Sequence, residues 1–139
     1  MTTFRRSLGL TLVVALSAGL AACSKDKEVE AALTDLDGFT SGLVGKVKSA
    51  TTPQVGVAEA QKFLQQNGAP VRAKLAAIKG VRGYQITPET KKKLEASFLS
   101  NVTAVASLQI EYAMHAARDD AFRRSLEKLV TDYKDLLLG

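Results

Sequence analysis

Apolar positions along the chain follow two patterns: one nearly continuous run, Leu8–Leu20, and beyond it apolar residues spaced three and four apart almost to the end. The second spacing marks one side of an α-helix. Val29, Leu33, Leu36, Phe39 or Thr40, Leu43 and Val47 predict helix one over Lys25 to about Ala50. Val57, Ala60, Leu64, Asn67, Val71, Leu75 and Ile78 predict helix two, with Asn67 the polar member of the series. Leu94, Phe98, Asn101, Val105, Leu108, Tyr112 and His115 predict helix three to roughly Ala117, and Phe122, Leu126, Leu129, Tyr133 and Leu136 predict helix four.

Punctuation supports these boundaries. Thr51-Thr52-Pro53 and Thr87-Pro88-Glu89 each place hydroxyl caps before a proline whose missing N–H is not needed in a first helical turn. Asp119 or Asp120 is the expected cap of helix four. Gly68 and Pro70 interrupt helix two, yet the apolar phase runs through them, which predicts one kinked helix over Pro53–Lys79. Gly38 and Gly42, one turn apart on helix one, either let another helix approach closely or mark a weak, bent stretch, since glycine costs up to about 1 kcal/mol relative to alanine. Residues 80–86 form the main loop, and its Val81, Tyr84 and Ile86 are expected to cover the core where the shorter helix four stops. The fold class that follows is all-α: an up-down-up-down four-helix bundle with a kinked second helix.

The first apolar run has a different character. Arg5 and Arg6 precede it without an offsetting acid, and small residues close it immediately before Cys23, the single cysteine of the chain. The run is shorter than the roughly 20 residues of a permanent membrane-crossing helix, so an export signal fits it better. Leu20-Ala21-Ala22-Cys23 resembles the lipobox of bacterial lipoproteins. That resemblance implies cleavage after residue 22 and a diacylglycerol on the Cys23 thiol, usually with a further acyl chain on the new amino group. It also accounts for an unpaired cysteine in an exported chain. Two or three acyl chains exceed the single chain that gives only marginal membrane binding. Ser24, in place of the aspartate that retains lipoproteins in the inner membrane by the enterobacterial rule, implies an outer-membrane address facing the periplasm. The expected organisation is residues 1–22 as signal, 23–28 as lipidated cysteine and tether, and 29–139 as bundle.

Composition narrows the function. Of 139 residues, 19 are basic and 14 acidic, and loss of Arg5 and Arg6 with the signal leaves an excess of three positive charges. Such a mild excess is not the clustered charge of a nucleic-acid binder. His115, the single histidine, stands four residues after Glu111, whereas di-iron bundles use Glu-x-x-His twice, so no metal site is expected. The outline resembles small periplasmic b-type cytochromes, which implies a methionine early in helix one and a histidine late in helix four as haem ligands. Leu33 and Leu36 occupy the first region, Tyr133-Lys134-Asp135 the second, and Met114 lies on helix three, so haem binding does not carry over and no cofactor is expected. The carboxylate pairs Glu28/Glu30, Asp35/Asp37 and Asp119/Asp120 have spacings that do not converge on a helix surface.

Two surfaces remain. Lys25, Lys27, Lys79, Arg82, Lys91, Lys92 and Lys93 gather at one end of such a bundle, either facing the membrane or as a solvated basic run. Leu99, Val102, Ala106, Ile110, Ala113 and Ala117 form a second apolar strip on helix three, either buried by a kinked helix two or presented to an envelope protein or a second copy. The sequence therefore points to a membrane-anchored periplasmic lipoprotein without enzymatic activity, an interaction or structural module of the envelope. The alternative is a small-ligand carrier whose cavity lies among Ala60, Ala76, Ala77, Ala104 and Ala113.

Overall fold

Three of the four long helices begin where a threonine or aspartate side chain caps the first turn ahead of a proline or an acid, as the sequence led us to expect. The computed structural model describes residues 24–139; the expected signal Met1–Ala22 and Cys23 lie outside the described residues. Helix α1 spans Asp26–Ser49, α2 Pro53–Lys79, α3 Pro88–Glu111, α4 Ala113–Ala116 and α5 Asp120–Leu138, with one 3-10 turn at Gly83–Gln85. Among the described residues there is no strand, and the fold is all-α. No helix among them is long and apolar enough to cross a membrane.

The caps follow their chemistry. The Thr52 hydroxyl accepts the Val55 N–H at 3.3 Å, the Thr87 hydroxyl that of Thr90 at 3.2 Å, and the Asp119 carboxylate that of Phe122 at 3.0 Å. Each satisfies one of the N–H groups that a helix start leaves without an internal partner. Between the two candidates for the α5 cap, Asp119 is the one used, and the Phe122 N–H, followed by Gln54, holds its carboxyl below the usual range. Because α1 starts at Asp26, residues 26–28 belong to the helix and not to the tether.

Helix α2 runs unbroken through Gly68 and Pro70, in agreement with the apolar phase. Its inward register differs at one step. Asn67 is exposed and Gly68 is buried, so the series runs from Leu64 through Gly68 to Val71. A methyl group at Gly68 would come within 2.7 Å of Leu136 Cδ1, which explains why the smallest residue occupies the core position there.

Helix three is shorter than expected. It ends at Glu111; Tyr112 closes it with φ −103° and ψ 14°, and Ala113–Ala116 form a separate turn. The turn brings the Tyr112 and His115 rings edge-on to Phe122, at centroid distances of 6.1 and 5.2 Å. Edge-on aromatic packing at the start of α5 therefore replaces the last turn of a longer helix, and His115, expected on the inward series, is exposed.

Helix α1 packs against α2 and α3, and α5 packs against α2 and α3. The bonds between α1 and α3 advance in step: Asp26 with Thr87, Glu30 with Lys93, Asp37 with Ser97, Lys48 with Glu111. These two helices thus run side by side in the same direction. The connection over residues 80–87 supplies the reach for α3 to return beside α1. Leu36, Leu43, Leu75, Leu108, Leu126, Leu129 and Tyr133 form the centre, each essentially closed to solvent. Burying a side chain of this size stabilises the fold by roughly 1.5–3 kcal/mol. The Tyr133 hydroxyl is paired with the Thr40 hydroxyl at 2.6 Å, so the polar tip is satisfied in the core. Burial pushes its ionisation up to about 12, partly offset by that bond.

Candidate functional site

The basic residues expected at one end do assemble there. The N-terminus of α1, the C-terminus of α2, the 80–87 connection and the N-terminus of α3 meet at this end. Lys25 N–H donates to the Gln85 carbonyl at 2.8 Å, and Thr87 N–H donates to Asp26 at 2.8 Å. The Ser24 hydroxyl, the hydroxyls of Thr90 and Thr87 and the Thr87 N–H hold the Asp26 carboxyl down, to about 2. Lys79 donates to the Leu138 carbonyl, which brings the end of α5 to the same place.

Not all of this charge is free. Lys25 pairs with Glu28 at 2.7 Å, and Lys93 with Glu30 at 2.8 Å and Glu89 at 3.2 Å. The Glu30 contact, and then that of Glu89, raises the Lys93 ammonium above its ordinary value. Lys27, Lys79, Arg82, Lys91 and Lys92 have no carboxylate partner among the described residues.

The loop at this end differs from the expected apolar lid. Val81 and Ile86 are half-buried against the core, but Tyr84 is 80% exposed. The Gln85 N–H returns to the Arg82 carbonyl at 2.8 Å, and the Arg82 N–H donates to the Gln85 side chain at 2.8 Å, which turns the intervening Tyr84 outward. Leu138, 78% exposed, ends α5 nearby. The sequence signal for Tyr84 was its position beside Gly83 in a tight turn, where burial has little backbone to work with.

On α3 the second strip is not covered by α2, because α3 lies against α1 and α5 instead. Leu99 is 70% and Ile110 80% exposed; Ala113 and Ala117 are also outward, while Val102 and Ala106 are half-buried at the edge of the strip. Exposed Met114, on α4, extends the strip.

The groove between α1 and α3, of about 630 Å³, is lined by small and polar residues including Ser41, Gly45, Ser97 and Ser100. Its floor is tied together: Asn101 and Ser97 both donate to Asp37, and Asn101 also donates to the Ser97 carbonyl at 2.8 Å. The groove is open along its length. Of the alanines expected around a carrier cavity, Ala60 is in the core, Ala104 is half-buried, and Ala76, Ala77 and Ala113 face outward.

His115 sits 3.1 Å from the Gln54 amide nitrogen, and Glu111 pairs with Lys48 at 2.9 Å. The two side chains thus have different partners on different helices. Among the described residues no three His, Cys, Asp or Glu side chains come together as metal ligands would. No family model matches the sequence, and no curated protein or solved structure matches it either.

Proposed function

We propose that the protein is a lipoprotein of the bacterial cell envelope, held in the membrane through Cys23 and facing the periplasm from the outer membrane. Its helical domain serves as a non-enzymatic interaction module. In this reading α1, α2, α3 and α5 form a four-helix bundle of alternating direction, with α2 bent at Gly68 and Pro70. Lipidated at Cys23, the bundle stands with its basic end toward the lipid. The partner surface is the outer strip of α3, Leu99 and Ile110 with Val102 and Ala106 at its margin, continued by Ala113 on α4, and the partner is an envelope protein or a second copy.

The observation that carries the proposal is the outward strip on α3: Leu99 and Ile110 are large apolar residues left in water by a helix that already has two packing neighbours. Adjoining apolar surface of this kind marks interaction sites. The carrier alternative draws support from the open groove beside Asp37 but not from the alanines it called for.

Two measurements on the native protein test the proposal. Intact mass is expected to show a chain beginning at Cys23 with two or three acyl groups; an unmodified thiol behind an intact leader overturns the anchoring. A photo-crosslinker at Ile110 is expected to capture one discrete protein, or a second copy, in whole envelopes. Equal capture from an exposed position such as Glu59 overturns the role of α3.

A further inference from the structure

We propose that the end of the domain carrying Tyr84 is a binding surface for anionic phospholipid, with the Tyr84 ring seated among the headgroups. This inference deepens the lipid-anchored reading and rests on it for orientation.

Three observations converge. The first is where the chain enters the domain: Lys25 is already bonded to the Gln85 carbonyl, next to Tyr84. Cys23 and Lys25 are two residues apart, a span of at most roughly 7 Å. That distance is inside the Debye length of about 8–10 Å at physiological salt, so a lipid on Cys23 would hold this end within the field of the surface. The second is charge. Lys79, Arg82, Lys91 and Lys92 lie at this end, and none of them is paired with a carboxylate among the described residues. The third is Tyr84 itself, an amphipathic ring displayed by a turn whose backbone and Gln85 side chain are bonded back to Arg82. Tyrosine favours an environment with one end apolar and the other wet, which a headgroup layer supplies. Exposed Leu138 adds an apolar contact beside it. The opposite end also carries cations, but the chain does not enter there.

The chain has no tryptophan, so Tyr84→Trp gives a single fluorescent reporter at the tip of the loop. Tyr84 is exposed, and the exchange leaves the core untouched. The full protein carrying this substitution, purified in detergent, is moved into vesicles of phosphatidylethanolamine with phosphatidylglycerol, or of phosphatidylcholine alone. Blue-shifted emission and quenching by brominated acyl chains are expected in the first and not in the second. Each basic residue near an anionic surface is worth about fivefold in partition, so adding Lys91→Glu and Lys92→Glu is expected to reduce the ratio of shielded to exposed tryptophan by at least about 25-fold. A tryptophan that stays unshifted and unquenched on anionic vesicles overturns the inference and leaves the patch to an acidic protein. Equal quenching in phosphatidylcholine, or indifference to the charge reversals, overturns the anionic specificity. Intact mass and flotation, read on the same sample, judge the lipid anchor separately: a floating, acylated protein with an unquenched tryptophan keeps the anchor and loses the surface.

Discussion

Substituting alanine for the glycines of α1 and α2, one at a time, tests how closely the two helices approach. All of these glycines have negative φ, so alanine fits the backbone at each, and the variants differ in the space available for a methyl group. At Gly38 and Gly45 a Cβ would meet nothing within 4 Å. Relief of the glycine penalty inside a helix then stabilises each variant by about 0.5–1 kcal/mol. At Gly56 a Cβ would lie 2.5 Å from the Val47 carbonyl oxygen and 2.9 Å from Val47 Cα. These are backbone atoms of α1, joined to α2 by a short turn at 50–52, and they cannot rotate aside. Overpacking a tight site costs about 1–3 kcal/mol, and a backbone-to-backbone clash belongs in the upper half of that range. The propensity gain is common to both sites and cancels in the comparison. Gly38→Ala and Gly56→Ala are therefore expected to differ by about 2–3 kcal/mol. With a urea slope near 1.5 kcal/mol/M, their unfolding midpoints, followed by circular dichroism at 222 nm, should separate by about 1.3–2 M. Gly42→Ala, whose Cβ would touch the Phe63 ring at 3.0 Å, is expected to fall between them. If Gly56→Ala raises the midpoint as Gly38→Ala does, the close approach of α1 and α2 at Val47 is wrong.

The core tyrosine gives the fold a distinct alkaline limit. The Tyr133 hydroxyl ionises at about 12 when folded and at 10 when unfolded, so its stabilising contribution is intact below pH 10 and is lost as pH rises toward 12, a loss of roughly 2–3 kcal/mol. Tyr133→Phe should cost about 1 kcal/mol at neutral pH, through the Thr40 bond, yet lack this alkaline decline; parallel pH profiles of the two proteins in urea titrations would refute the assignment. Asp119→Ala removes the α5 cap and is expected to cost about 1 kcal/mol, against a few tenths for Asp120→Ala, by the same titrations. Ile110→Glu places a charge on an exposed position and should leave stability within about 0.5 kcal/mol while abolishing capture of the α3 partner by a photo-crosslinker placed at Leu99. An unfolded Ile110→Glu protein would show that the strip is internal.

The sequence by itself determined what local chemistry determines. The four long helices, the hydroxyl and carboxylate caps of three of them and most of the inward face of each followed from apolar spacing and punctuation, because those signals act within one turn of the chain. Val29 through Val47 and Phe122 through Leu136 are buried as their period required. The gathering of lysines at one end also followed, since helix direction alone places it. Only the tertiary structure decided which helices touch. It set α3 beside α1 and α5, which leaves Leu99 and Ile110 outside; no spacing rule distinguishes that arrangement from one in which α2 covers them. It moved the inward step of α2 from Asn67 to Gly68, because Leu136 on a distant helix leaves room for no side chain there. It chose Gly56 over Gly38 for the close helix contact, and it ended α3 at Glu111 so that Tyr112 and His115 could meet Phe122. Each of these outcomes depends on atoms far apart in sequence, and a periodic pattern records which side of a helix is apolar but not which neighbour will cover it.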